Sequence, residues 1–183
     1  MSTPTSPFVI STRTFRRVGT AAAALMLSGL ALPASAVPGQ TDDGATTANV
    51  GVTSSITLTG PTSSFTLTGA PGATVEGAAA VSMNVETNNI GGYSVTVQPA
   101  TAELVPADPV ANTDVIDVDQ LSVRETGSPT YQALDATAPV TVGGETERSA
   151  EGGDTIQNDY SVDIPFVNAD TYSVTLNYVA TTL

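Results

Sequence analysis

Tyr160-Ser-Val-Asp-Ile-Pro-Phe-Val-Asn-Ala-Asp-Thr-Tyr-Ser-Val-Thr-Leu-Asn-Tyr178 is the stretch whose rhythm decides the fold class. Tyr160, Val162, Ile164 and Phe166 alternate with Ser161, Asp163 and Pro165, and Asn168-Ala-Asp170 supplies turn formers. Tyr172, Val174, Leu176 and Tyr178 then alternate back against Ser173, Thr175 and Asn177. A period of two puts each apolar set on one face of a strand. Registering one run against the other predicts a hairpin with a single apolar face. Pro165 has no N–H to give to a ladder, so its nitrogen is expected at an unpaired edge or a bulge.

The same rhythm extends upstream. Ile56-Thr-Leu58-Thr-Gly60 and Phe65-Thr-Leu67-Thr-Gly69 echo each other, with Pro61 and serines between them, and read as two strands of a hairpin. Val81, Met83 and Val85 alternate up to Asn88-Asn89-Ile90-Gly91-Gly92. Tyr93, Val95 and Val97 resume until Pro99, which predicts a second hairpin. Residues 100–120 hold Pro106, Pro109 and several aspartates and read as a long loop with one short strand near Val115 to Val118. Leu121-Ser-Val123, Tyr131 to Leu134 and Val140-Thr-Val142 are further strand candidates. Gly143-Gly144 and Gly152-Gly153 bracket an exposed acidic segment, Glu145 to Glu151. No helical apolar repeat runs through the chain after residue 36. Many short strands at spacings near ten predict an all-β chain, an immunoglobulin-like two-sheet antiparallel β-sandwich following a cleaved signal peptide. A closed barrel is the competing architecture.

The amino-terminal residues set the compartment. Arg13, Arg16 and Arg17 precede a weakly apolar, Ala-rich stretch from Val18 to Leu32, and Ala34-Ser35-Ala36 supplies the small residues a signal peptidase needs. At about fifteen residues that stretch is short of a spanning helix. The expected organisation is a signal peptide over 1–36, a flexible lead-in over 37–48 rich in turn formers, and a β-sandwich domain over 49–183. No membrane span is expected in the mature chain, and the expected location is secreted or extracellular, with cell-wall association as its retained form. Arg16-Arg17 leaves both the general secretory and the twin-arginine routes open.

All eighteen acidic residues lie after residue 36, against only Arg124 and Arg148, so the mature chain carries a net charge of −16 where the whole carries −13. Such a polyanion repels nucleic acid and anionic lipid, and neither is an expected partner. His, Cys and Lys are all absent. That removes Ser-His-Asp triads, Cys-His pairs, Ser-Lys dyads and thiolate or imidazole metal sites together. A carboxylate pair could still hydrolyse glycosides, but the chain has no Trp platform for a sugar, and the reading is that it is not an enzyme. The loop holding Asp108, Asn112, Asp114, Asp117 and Asp119 has two readings. It is a solvated acidic surface, or a calcium site centred on Asp114, Asp117 and Asp119 with oxygen ligands. Its spacing departs from the EF-hand loop, which favours the first reading, with no cofactor.

Tyr-Ser-Val occurs three times, at Tyr93, Tyr160 and Tyr172. Either the rings pack inward at strand ends, or they form a surface stripe that stacks on glycan. Gly92-Tyr93-Ser94-Val95-Thr96-Val97 resembles the first motif of the WxL family of bacterial surface domains, Gly-Trp-x-Leu-x-Val. Tyr172-Ser-Val-Thr-Leu176-Asn-Tyr178-Val-Ala180 resembles the second, Tyr-x-x-x-Leu-x-Trp-x-Leu. Tyrosine stands in place of both tryptophans, and Val95 and Ala180 stand in place of the leucines. The resemblance implies non-covalent attachment to peptidoglycan, with Tyr93, Val95, Leu176 and Tyr178 as the binding positions. The expected function is that of a secreted, non-catalytic bacterial surface protein binding cell-wall glycan or a surface protein partner. The alternative is a structural subunit of an extracellular assembly, pairing through edge strands.

Overall fold

The computed structural model describes Gly39 and residues 42–183. The expected signal peptide lies outside the described residues. Asn49–Leu183 form one compact unit. Among the described residues the regular structure is β-strand, apart from one 3-10 turn at Val118–Gln120.

Eleven strands are present: β1 (Ile56–Thr59), β2 (Thr74–Thr87), β3 (Tyr93–Pro99), β4 (Glu103–Pro106), β5 (Ile116–Asp117), β6 (Leu121–Glu125), β7 (Gln132–Ala133), β8 (Val140–Glu145), β9 (Asp154–Asp163), β10 (Tyr172–Ser173) and β11 (Leu176–Thr182). They build a five-stranded sheet in the order β1-β2-β9-β6-β7, a three-stranded sheet β11-β3-β8, and a small three-stranded sheet β10-β4-β5. Every pairing is antiparallel. The period-two pattern puts Val81, Met83 and Val85 of β2, Leu121 and Val123 of β6, and Ile156, Tyr160 and Val162 of β9 into one buried cluster. Tyr93, Val95 and Val97 of β3 and Val142 of β8 join the same cluster. One core therefore takes side chains from the five-stranded sheet and from the β11-β3-β8 sheet.

The runs expected to pair as hairpins do not pair with each other. In the carboxy-terminal stretch, Val162 on β9 lies opposite Val75 of β2 and Leu121 of β6, while Tyr178 on β11 lies opposite Val97 of β3. The two runs thus belong to different sheets. β9 ends at Asp163, main-chain hydrogen bonds to Gly72 and Ala73 continue through Ile164, and Pro165, which has no N–H to give, follows directly as the chain crosses over before β10. Phe166, expected on the apolar face, is 95% exposed.

The Val81–Val85 and Tyr93–Val97 runs are also split, as β2 and β3 sit in different sheets. The connection at 88–92 is longer than the two-residue turn a tight hairpin prefers. It closes on Gly92, whose φ is +84° and whose Cβ, if it had one, would collide with the Glu145 carbonyl. Ile56–Thr59 pairs with Asn84–Thr87 rather than with 65–69. Phe65 and Leu67 pack half-buried against the core, with the Phe65 ring centroid 4.6 Å from that of Tyr160. The short strand expected near 115–118 is β5, whereas β4 was not expected. Period two fixes which face of a strand is buried. It does not name the neighbour.

Candidate functional site

The four motif positions come together, on adjacent strands. In the β3–β11 ladder Leu176 faces Pro99, Tyr178 faces Val97 and Ala180 faces Val95. Tyr93 and Val95 are fully buried, and Leu176 and Tyr178 are half-buried against the same core. The Tyr93 hydroxyl donates to Asp154 Oδ2 at 3.0 Å. Burial, that hydrogen bond and the nearby carboxylates hold the hydroxyl far above its ordinary pKa. The Tyr178 hydroxyl bonds to that of Tyr160, which ties the three-stranded sheet to the five-stranded one. Burial pushes Tyr178 up to about 12, against a smaller lowering by Tyr160. Tyr160 lies well inside β9 rather than at a strand start, and Tyr172 is half-buried with its hydroxyl donating to the Asn168 carbonyl. Tyr93 and Tyr160 are therefore core residues with no ring face for a sugar to stack on.

The aspartates of the 108–119 loop do not converge. Among the described residues no three acidic side chains are grouped so as to hold a metal ion. Asp114 instead accepts the Asn168 amide at 2.8 Å, and Asp108 accepts the amides of Val110 and Ala111. Buried Asn112 donates to Asp170 and to the Tyr172 hydroxyl. The Thr171 amide and then Asn112 hold Asp170 below the usual carboxylate range. These side chains stitch the 107–114 loop to the 167–172 loop.

Among the described residues one salt bridge is present, between Arg124 of β6 and Asp159 of β9. Between Gly77 and Val81 the β2–β9 register shifts, so that three alanines bulge opposite Asp159. Ala79 at the tip has φ +46°, the one non-glycine positive φ among the described residues. Its amide donates to Asp159 Oδ1 at 2.8 Å, Thr126 Oγ1 donates to the same oxygen at 2.7 Å, and Arg124 Nε donates to Oδ2 at 3.0 Å. Burial alone would raise the Asp159 pKa, but these three donors outweigh it and hold the carboxyl below its ordinary value. The Arg124 guanidinium also lies 4.2 Å from the Tyr131 ring centroid, a cation–π contact.

Arg124 leads from this network into an open cleft of about 470 Å³. The cleft lies beside β8, which among the described residues has no strand neighbour on its outer side, though Asn158 Nδ2 donates to the Val142 carbonyl; two-residue β7 leaves the end of the five-stranded sheet short there. Its lining is small and polar: Ser94, Ser128, Thr130, Gln132 and Thr141, with Gly143 and Gly144 along β8. A Cβ on Gly144 would lie 2.6 Å from the Tyr93 carbonyl oxygen, so this position needs glycine for β8 to sit against β3. Glu125 and Glu145 stand at the rim. Burial and then the charge of Glu145 raise the Glu125 pKa. Chemically, the cleft offers hydroxyl, amide and carboxylate partners along a free strand edge. The sequence reading missed this site, because Gln132, Thr130 and Ser128 carry no motif and only the Gly143-Gly144 pair hinted at a break. No protein-family model matches the chain, and neither a curated protein nor a solved structure matches it.

Proposed function

We propose that the chain is an exported, non-catalytic module of the bacterial surface, an immunoglobulin-like two-sheet sandwich that holds a surface protein in the cleft beside β8. The observation that carries this reading is a free strand edge next to an open cleft lined with small polar side chains. Main-chain groups on such an edge bind an extended peptide by strand addition, and the flanking cleft receives its side chains. Wall glycan is the second reading and rests on the resemblance to the WxL motifs. It is less favoured because Tyr93 and Tyr160, which would have to stack on a sugar, are buried.

The test is to fractionate producing cells into medium, wall and membrane for the unaltered chain and for a Gln132→Trp variant that fills the cleft. The expected result is a chain without its first 36 residues, held in the wall fraction and released to the medium by the variant. Retention of both chains alike, or an uncut leader, contradicts the reading. Binding of the unaltered chain to purified peptidoglycan alone would favour the glycan.

A further inference from the structure

Asn49-Val-Gly-Val-Thr53 runs ahead of β1 and carries Val50 and Val52, which are 88% and 80% exposed. Both continue the alternation of Ile56 and Leu58, whose side chains pack against the core. Asn88 holds this segment only at its inner end: its Nδ2 donates to the Thr53 carbonyl at 2.9 Å and its Oδ1 accepts the Ser55 amide at 2.8 Å. Among the described residues no hydrogen bond holds 49–52. The segment thus overhangs β1 with the alternation of a strand and, among the described residues, no strand partner. It is also free of charge. From Gly44 to Val75 there is no charged residue at all, in a chain whose mature net charge is −16. A neutral arm approaches such a polyanion without the repulsion that any acidic segment would meet.

The molecule also has the complementary defect. Among the described residues β8, Val140–Glu145, has no strand neighbour on its outer side. Val142 and Gly143 at its middle are buried and Asn158 Nδ2 donates to the Val142 carbonyl at 2.7 Å, while the flanking residues face an open cleft lined by small side chains. An arm of five residues with alternating valines has the period of a strand and is long enough to follow β8 along the cleft. We propose that the Asn49–Thr53 arm of a second copy adds as a fourth strand to the outer edge of β8 and fills the cleft. The inference rests on the cleft as the binding site and names its occupant. Arm and cleft are different surfaces, so the contact is heterologous and repeats head to tail, into a ring where the rotation closes and an open chain where it does not.

Sedimentation of the chain recovered from its producing cells, over rising concentration, tests this. The expected result is a mass that grows by whole copies. Val50→Asp with Val52→Asp should weaken association about tenfold or more while the far-ultraviolet dichroism stays unchanged. The chain has no native cysteine, so mixing a Val50→Cys chain with a Thr141→Cys chain should give one mixed disulfide dimer. A chain that stays single at every concentration, or a doubly substituted chain that associates as well as the original, overturns the inference. If the chain stays single but Gln132→Trp still releases it from the wall fraction, the cleft keeps its role and only this occupant falls. If Gln132→Trp changes neither, the cleft reading falls as well.

Discussion

Asp159 is one of eighteen acidic residues in the sequence, and nothing in its neighbours Asn158 and Tyr160 marks it as different from the solvated ones. Its role comes from the fold: it closes the bulge by binding the Ala79 amide and orients Arg124 over Tyr131 at the approach to the cleft. Asp159→Ala strands the bulge amide and leaves Arg124 unpaired, and should cost about 3 kcal/mol in urea unfolding at neutral pH. Because the folded-state pKa is depressed, the stabilisation is present above the unfolded value and is lost as pH falls through the folded one. The gap between the unaltered chain and Asp159→Asn should therefore close on acidification. Glu125 runs the other way. Its raised pKa means that stability present at low pH is lost as pH rises through the folded value. The buried tyrosines make the complementary point. The Tyr-Ser-Val triplets were visible in the sequence, but whether a ring faces the core or solvent depends on the sheet it joins, and a triplet does not encode that.

Among the elements, strand existence was largely readable and strand partnership was not. β3, β6 and β8 fall where alternating apolar residues place them, whereas β9 runs from Asp154 only to Asp163 and the Tyr172–Tyr178 run is split between β10 and β11, which lie in different sheets. The hairpins failed because a strand's inward face is set by its own period, whereas its neighbour is set by how the connecting segment crosses. Cysteine pairs separate the two outcomes in a chain that has no cysteine of its own. Ser94 and Thr181 are directly opposed on β3 and β11, and opposed residues lie close enough for a disulfide. Ser94→Cys with Thr181→Cys should oxidise readily to an internal bond, seen as a mass loss and faster migration without reductant. Ser161→Cys with Asn177→Cys, which a hairpin turning at Ala169 would oppose, should stay reduced.

The whole molecule is a polyanion around a small core, with most of its charge on loops and outer faces. Self-repulsion of that kind weakens as salt screens it, so the melting temperature should rise with ionic strength in a monovalent salt. With Asp108 and Asp114 bound to loop amides, calcium should raise it no further than magnesium at equal concentration. A calcium-specific rise reversed by chelator would favour the calcium reading of Asp114, Asp117 and Asp119. The buried tyrosines, the free β8 edge, the cleft and the overhanging arm all depend on β9 and β11 lying in separate sheets around one core. Cross-strand nuclear Overhauser effects test that placement directly. Main-chain contacts are expected between Ala180 and Val95 and between Val162 and Leu121, with none between the main chains of Val162 and Leu176. A ladder of contacts joining the Tyr160–Phe166 run to the Tyr172–Tyr178 run would contradict it.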